Sequence, residues 1–247
     1  MIAEIHHKIS SSGSNLSDRL EDKLTGDVFG HLRYLPYELG LKPVLQACLF
    51  SDESANSFKE VVDKSNSFMY KFWPHHNEGE PDLILESETD VILIEVKYHS
   101  GLSSDDDIED PELSKNQLSR EARILEQIKG NKNAFLIFLA TKKEAAKIYY
   151  QTRDKILPGV SFGYLSWTSL YEALREVQQK MELIFPSNII IDDTLRLLKR
   201  KGFERFIGFN TNTRQVTKEA FEFNRTRKIT FSFHTNQEVN TNYYEFR

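Results

Sequence analysis

The sequence predicts an α/β fold in which a mixed β-sheet is flanked by helices. Three observations lead there. From about residue 115 onward, segments with helical spacing of apolar residues alternate with short apolar runs. One of these runs, "AFLIFLA" at 134–140, has no polar alternation, the pattern of a strand covered by helices on both faces. Finally, "GEPDLILESETDVILIEVKYHSG", residues 79–101, sets two aliphatic runs on either side of a polar turn, as a buried β-hairpin does.

The elements follow in order. Residues 1–15, with "SSSGSN", read as a polar leader. Leu16, Leu20, Leu24, Val28, Leu32 and Leu35 recur at helical spacing, so an amphipathic helix is expected there, with Asn15 or Ser17 able to cap it. Pro36 and Pro43 bracket a short segment of no clear type, and "SNSFMYKFW" is an aromatic, strand-like run ended by Pro74. After the hairpin comes an acidic loop over residues 100–114. A helix through Leu118, Ala122, Leu125 and Ile128 follows, stopped by Gly130. The pattern then predicts the strand at 134–140, a helix over about 142–156, a strand at "VSFGYLSW" and a helix over about 168–183. Residues 16–186 read as the main domain. Residues 187–247 read as one more helix and a β-rich C-terminal module, and no internal repeat is present.

Composition narrows the class. Of 247 residues 39% are hydrophobic, enough for one large domain with an appendage. The lone cysteine, Cys48, reads as a small buried apolar residue and fits a reducing, cytoplasmic compartment. No run approaches the roughly 18 apolar residues of a membrane span, and the N-terminus lacks a signal-peptide pattern, so no membrane partner is expected. The net charge of −5 is unevenly spread: residues 196–247 hold eleven Lys or Arg against five Asp or Glu, about +6, which leaves about −11 for the rest. A basic, aromatic-rich end suits nucleic acid or a partner surface, though a surface helix followed by a hairpin has similar charges.

The chemistry lies in the hairpin. With the turn centred between Glu88 and Thr89, Asp82 faces Glu95 on one side of the sheet, and Lys97, two residues further on, points the same way opposite Glu80. The other side, Leu83, Leu85, Ile92, Ile94 and Val96, is wholly apolar. Two carboxylates about 4.5–5.5 Å apart at Cβ repel. A hard divalent cation between them accounts for the pattern. The competing structural reading is a solvated cross-strand ion pair worth less than about 1 kcal/mol.

"EPD", the intervening hairpin and "EVK" resemble the PD-(D/E)XK nuclease superfamily, the motif standing here as Pro81, Asp82, Glu95, Val96 and Lys97. The resemblance covers roughly the first 140 residues and implies a restriction-endonuclease-like core of helix, three-stranded meander, helix and strand. It implies a phosphodiesterase acting on DNA, with Mg²⁺, or Mn²⁺ in its place, held by Asp82, Glu95 and the backbone carbonyl of Val96. Lys97 is then the residue that orients or activates the attacking water. Two accessory positions also match: Glu21, on the helix before the meander, as a further group at the metal, and Gln117, opening the helix after the lysine strand. Glu21 reads equally as half of a surface pair with Lys23. Relatives with a Gln-x-x-x-Tyr pattern carry tyrosine where this chain has Glu121, a departure from that subgroup.

Other candidates read more simply. His75 and His76 suit a polar loop better than a phosphate or metal site. Asp105, Asp106, Asp107, Glu109, Asp110 and Glu112 lack the glycine and terminal glutamate of a calcium loop and read as solvated. Phe206, Phe209, Phe221, Phe223, Phe231 and Phe233, interleaved with Arg205, Arg225, Arg227 and Lys228, suit strand packing or base stacking. The functional expectation is a metal-dependent DNA endonuclease, homo-oligomeric or part of a multi-protein complex, with the nuclease effector of an anti-phage defence system as its setting. The other expectation is a non-catalytic DNA- or protein-binding subunit on the same fold.

Overall fold

Six strands form one mixed sheet in the computed structural model, which describes residues 16–204 other than 99, 100, 103, 105 and 107. The elements are α1 (Leu16–Arg33), α2 (Leu41–Gln46), β1 (Leu49–Phe50), α3 (Asp52–Lys64), β2 (Met69–Phe72), β3 (Leu83–Glu86), β4 (Asp90–Val96), α4 (Gln117–Lys129), β5 (Asn133–Ala140), α5 (Lys142–Thr152), β6 (Val160–Ser166), α6 (Trp167–Lys180) and α7 (Phe185–Arg200). A 3₁₀ turn, Arg153–Lys155, follows α5. The sheet order is β1-β6-β5-β4-β3-β2. β2, β3 and β4 form an antiparallel meander, β4, β5 and β6 run parallel, and β1 closes the far edge antiparallel to β6. The α/β class with a helix-flanked mixed sheet is therefore as the sequence predicts. The expected leader and the basic module with Arg205, Arg225, Arg227 and Lys228 lie outside the described residues.

The hairpin register follows from its side-chain pattern. Leu83 pairs with Ile94 and Leu85 with Ile92, which puts the turn between Glu88 and Thr89. A slip of one residue would carry one strand's apolar set to the opposite face, already filled by Ile84, Val91 and Leu93, and would take Asp82 and Glu95 to different faces. β3 begins only at Leu83, so Glu80 lies outside the strand and is exposed, and the expected pairing across from Lys97 is not made. Lys97 N–H instead donates to the Leu139 carbonyl of β5, 2.7 Å away.

Alternation divides the core into two layers. Leu85, Ile92, Ile94, Ile137 and Leu139 face the side packed by α1, α2, α3, α6 and α7, where Leu24, Val28, Phe58, Leu170 and Leu198 meet them. Ile84, Leu93, Leu136, Phe138 and Phe162 face α4 and α5, against Leu118, Ala122, Leu125 and Tyr149. This is why β5 is apolar on both faces. α1 buries Leu24, Val28, Phe29 and Leu32, whereas Leu20 is exposed. The helix stops short of Pro36, as the restricted residue before a proline requires. α7 joins the same core through Ile191, Leu195 and Leu198. Among the described residues no helix is long and apolar enough to cross a membrane.

Three features were not read from the sequence. α2 carries Pro43 within its first turn, where a missing N–H costs nothing, so the segment between Pro36 and Pro43 is a turn that leads into a short helix. α3, with Phe58, Val61 and Val62 on its buried face, and the two-residue β1 complete the second edge. Cys48 is half-buried against this layer, its Sγ 3.7 Å from the Val44 carbonyl.

β1 is seated by an aromatic group. Phe50 stacks on Phe58 with ring centroids 4.3 Å apart and meets Phe135 edge-on at 6.0 Å. Gly163, opposite Phe50 on β6, makes room for it, since a Cβ there would stand 2.7 Å from the ring. Gly163→Ala is expected to lower stability by about 1–2 kcal/mol, the overpacking outweighing the few tenths to 1 kcal/mol gained from a stiffer unfolded chain. Urea unfolding of the two proteins measures this, and an unchanged or raised midpoint in the variant would show that Phe50 does not depend on the missing Cβ.

Candidate functional site

At the C-terminal end of β4 the chain gathers four carboxyl groups around one ammonium. Asp82, Glu95, Lys97, Glu21 and Glu121 are 7%, 2%, 6%, 8% and 4% exposed, which rules out the solvated ion pair as an account of the motif. Lys97 Nζ donates to Glu95 Oε1 at 2.7 Å and to Glu21 Oε1 at 3.2 Å. Glu21 reaches the site because α1 carries it across the end of the sheet, where its Oε2 also accepts the Tyr98 backbone N–H at 2.8 Å. The reading of Glu21 as a surface partner of Lys23 gives way to this buried position.

Asp82 is held from two directions. Oδ1 accepts the indole N–H of Trp73 at 3.1 Å, and Oδ2 accepts the backbone N–H of Val96 at 2.9 Å. Trp73 takes a positive φ of 44°, a conformation uncommon outside glycine, and its own backbone N–H donates to the Asp82 carbonyl at 3.1 Å. The kinked tryptophan thus grips both the backbone and the side chain of the first motif aspartate. Trp167, the first residue of α6, holds the backbone of the motif lysine by donating its indole N–H to the Lys97 carbonyl at 2.9 Å. Both tryptophans of the chain are fully or almost fully buried beside motif residues.

The third direction is α4. Its cap, Asn116, accepts the Leu118 N–H at 2.9 Å, and the first helical residue is Gln117. Gln117 Nε2 donates to Glu95 Oε1 at 2.5 Å and to Glu121 Oε1, one turn on, at 3.3 Å. Further round the helix Arg123 pairs with Glu78 at 2.9 Å and donates to the Pro111 and Ser114 carbonyls, tying the loop before β3 to the acidic loop. Asp106, expected to be solvated, accepts from Ser114 Oγ and the Lys115 N–H at 2.8 and 2.6 Å. Asp105 and Asp107 lie outside the described residues. His75 is exposed and His76 half-buried in a turn bridged to Gly79, as a polar loop requires.

The charge balance of the site is lopsided. Burial pushes Asp82 well above the usual carboxylate range, and the neighbouring Glu95 adds to this. Glu95 is pushed up by burial and then by Glu121, and burial raises Glu121 to about 7. For Lys97, burial alone would favour the neutral amine, but Glu95, Asp82 and Glu21 together outweigh it and hold the ammonium above the usual lysine range. Glu121 Oε2 is buried and has no hydrogen-bond partner, a state it shares, among buried side-chain polar atoms of the described residues, only with Ser119 Oγ.

These residues fit a hard divalent cation. Every donor is an oxygen, the ligand chemistry of Mg²⁺ and Mn²⁺ rather than of zinc. Among the described residues four carboxyls gather about one ammonium, and one buried carboxyl oxygen stands unpartnered. Among the described residues no group of three or more His, Cys, Asp or Glu is already arranged to hold a metal ion, and Lys97 Nζ stands between Glu21 and Glu95. Asp82, Glu95 and Glu21 are the groups that could hold it, with the Val96 backbone directly after Glu95.

Sequence reasoning placed Asp82, Glu95, Lys97, Glu21 and Gln117 together, and they are together. It missed Glu121, Trp73 and Trp167. The one signal for Glu121 was its spacing, four residues after Gln117 on the same helix face. Comparison with protein-family models finds no match, and a search of curated proteins finds none either.

The titration has a consequence for stability. A carboxyl that binds its proton more tightly folded than unfolded contributes fully below its unfolded value, 4.5 for Glu121, and loses that contribution as pH rises toward about 7. In chelator, the unfolding free energy is therefore expected to fall between pH 5 and 7.5, with Glu121 contributing on the order of 1–3 kcal/mol of the fall. Glu95 and Asp82 contribute in the same direction, and Lys97, protonated throughout, does not. Urea titrations of wild type and Glu121→Gln across that range measure it; equal slopes in the two proteins would contradict the shared burial of these carboxyls.

Proposed function

We propose that the protein is a metal-dependent nuclease that hydrolyses DNA phosphodiester bonds, with Asp82, Glu95 and Lys97 as its core. The observation that carries the reading is the convergence, at the C-terminal end of β4, of these side chains with Glu21 and Gln117, which come from two separate helices. Ligand sites in open α/β sheets favour this end of the strands. The resemblance of the motif to the PD-(D/E)XK nucleases, and the helix, meander, helix and strand order of the elements from α1 to β5, support the same reading.

In this reading Asp82 and Glu95 hold Mg²⁺ or Mn²⁺, with Glu21 and the Val96 carbonyl as further oxygen donors. When bound, the metal supplies Lewis-acid activation of the phosphoryl group near neutral pH. Trp73 and the Val96 N–H hold Asp82 in one orientation, and Gln117 does so for Glu95. Lys97 is surrounded by carboxylates that keep it charged, so its role is to orient water and to stabilise negative charge developing on phosphate, rather than to act as a free base. Burial on both faces of β4 keeps bulk water away from these groups, which strengthens each electrostatic contact.

Incubation of plasmid and linear DNA with the protein in Mg²⁺, Mn²⁺ or chelator tests the proposal. Cleavage is expected only with metal, and Glu95→Ala and Lys97→Ala are each expected to slow it by at least about 100-fold. Either variant cutting as fast as wild type would remove the motif from the mechanism. Binding of DNA without cleavage under any metal would favour the non-catalytic binding subunit.

A further inference from the structure

Glu121 occupies a position that the packing of the core does not explain and that its hydrogen bonds satisfy only in part. It is on the buried face of α4, between Leu118 and Ala122 on one side and Leu125 on the other, where an apolar residue would complete the layer against β3, β4 and β5. A carboxylate in such a place costs several kcal/mol unless it is paired or binds a cation. Its Oε1 accepts one hydrogen bond, from Gln117 at 3.3 Å, and that amide is shared with Glu95 at the shorter distance of 2.5 Å. Its Oε2 has no partner although the residue is only 4% exposed. Lys97, the one ammonium of the cluster among the described residues, donates to Glu21 and Glu95 and is not within salt-bridge distance of Glu121. Glu95 acts on Glu121 through a carboxyl–carboxyl hydrogen bond, and Asp82 and Lys97 act on it through their charge, so its carboxyl is aimed into the same cluster.

We propose that Glu121 is a further carboxylate ligand of the divalent cation held by Asp82 and Glu95, supplied from α4. The inference rests on the nuclease reading above and deepens it: the ion is reached from the meander by Asp82 and Glu95, from α1 by Glu21 and from α4 by Glu121. Gln117 then serves both α4 and the meander, its amide fixing the spacing of Glu95 and Glu121. The alternative role for Glu121, orienting Glu95 through a hydrogen bond, predicts a different response to the amide. Glutamine has the same shape and can donate, so it would preserve an orienting bond while removing a charged ligand.

The test uses the full chain and Mn²⁺ alone. Titration calorimetry gives the affinity of wild type, Glu121→Gln, Glu121→Met and Glu95→Ala, and thermal unfolding is followed in chelator and in Mn²⁺. Glu121→Gln and Glu121→Met are expected to weaken Mn²⁺ binding by about 10- to 100-fold and to lose most of the Mn²⁺-dependent rise in Tm. In chelator at neutral pH both are expected to melt at or above the wild-type temperature, because an unpartnered buried carboxylate has been removed. If Glu121→Gln binds Mn²⁺ within twofold of wild type while Glu95→Ala abolishes binding, the inference is overturned and the nuclease reading stands. If wild type itself takes up no Mn²⁺, the nuclease reading fails and this inference with it. Loss of the fold in both Glu121 variants in chelator would assign the residue to the scaffold and overturn the proposal.

Discussion

A single buried ammonium holds the site together. Lys97 is 6% exposed and bonded to carboxylates from α1 and from its own strand, and the surrounding negative charge is what keeps it protonated against the penalty of burial. Removing one member of such a group leaves the others uncompensated at a cost of about 3–5 kcal/mol, well above what a surface pair is worth. The arrangement still leaves carboxyl charge in excess, and the chain answers by raising the proton affinity of Asp82, Glu95 and Glu121. In the proposed reading, proton uptake and cation binding are two solutions to the same imbalance and would compete.

The rest of the fold serves that cluster. The apolar face of the hairpin locks the register that sets Asp82 beside Glu95, while the parallel neighbour β5 fixes Lys97 through its backbone. α1 and α4 approach from opposite faces of the sheet and deliver Glu21 and Gln117. Trp73 and Trp167, with Phe203 stacked on the latter at 5.3 Å, fill the space behind the motif and grip its backbone and side chains. The site is thereby built on helices and on the residues that directly flank the strand ends, and Arg120 and Arg123 tie down the loops at its rim.

Much of this was legible in the residue order, for a definable reason. A strand alternates with period two, so once a polar turn is centred, the facing partners of Asp82 and the apolar set of the opposite side follow without further information. Glu21 was reachable only through the motif resemblance, because nothing in "DRLEDKL" distinguishes a glutamate that crosses the end of a sheet from one that meets a neighbouring lysine. Glu121 was read as a departure from a pattern, whereas its weight lies in burial, which alternation on a short helix does not reveal when one polar residue replaces an apolar one. The roles of the two tryptophans depend on a positive φ at Trp73 and on a contact between residues 70 positions apart. Neither leaves a local trace. β1 has only two residues and so no periodicity to read, whereas α3 did leave a signal in the i, i+3, i+4 spacing of Phe58, Val61 and Val62.

The central claim is that Asp82 and Glu95 form a cation site that the ammonium of Lys97 stabilises when no metal is bound. Crystals grown in chelator and then in Mn²⁺, with anomalous scattering measured at the manganese edge, test it most directly. The account predicts a manganese peak bridging Asp82 and Glu95 at about 2 Å from their oxygens, with the bond from Lys97 to Glu95 lengthened or broken. Full occupancy of other surface sites with no peak between these carboxylates, and Lys97 still bonded to Glu21 and Glu95, would contradict it.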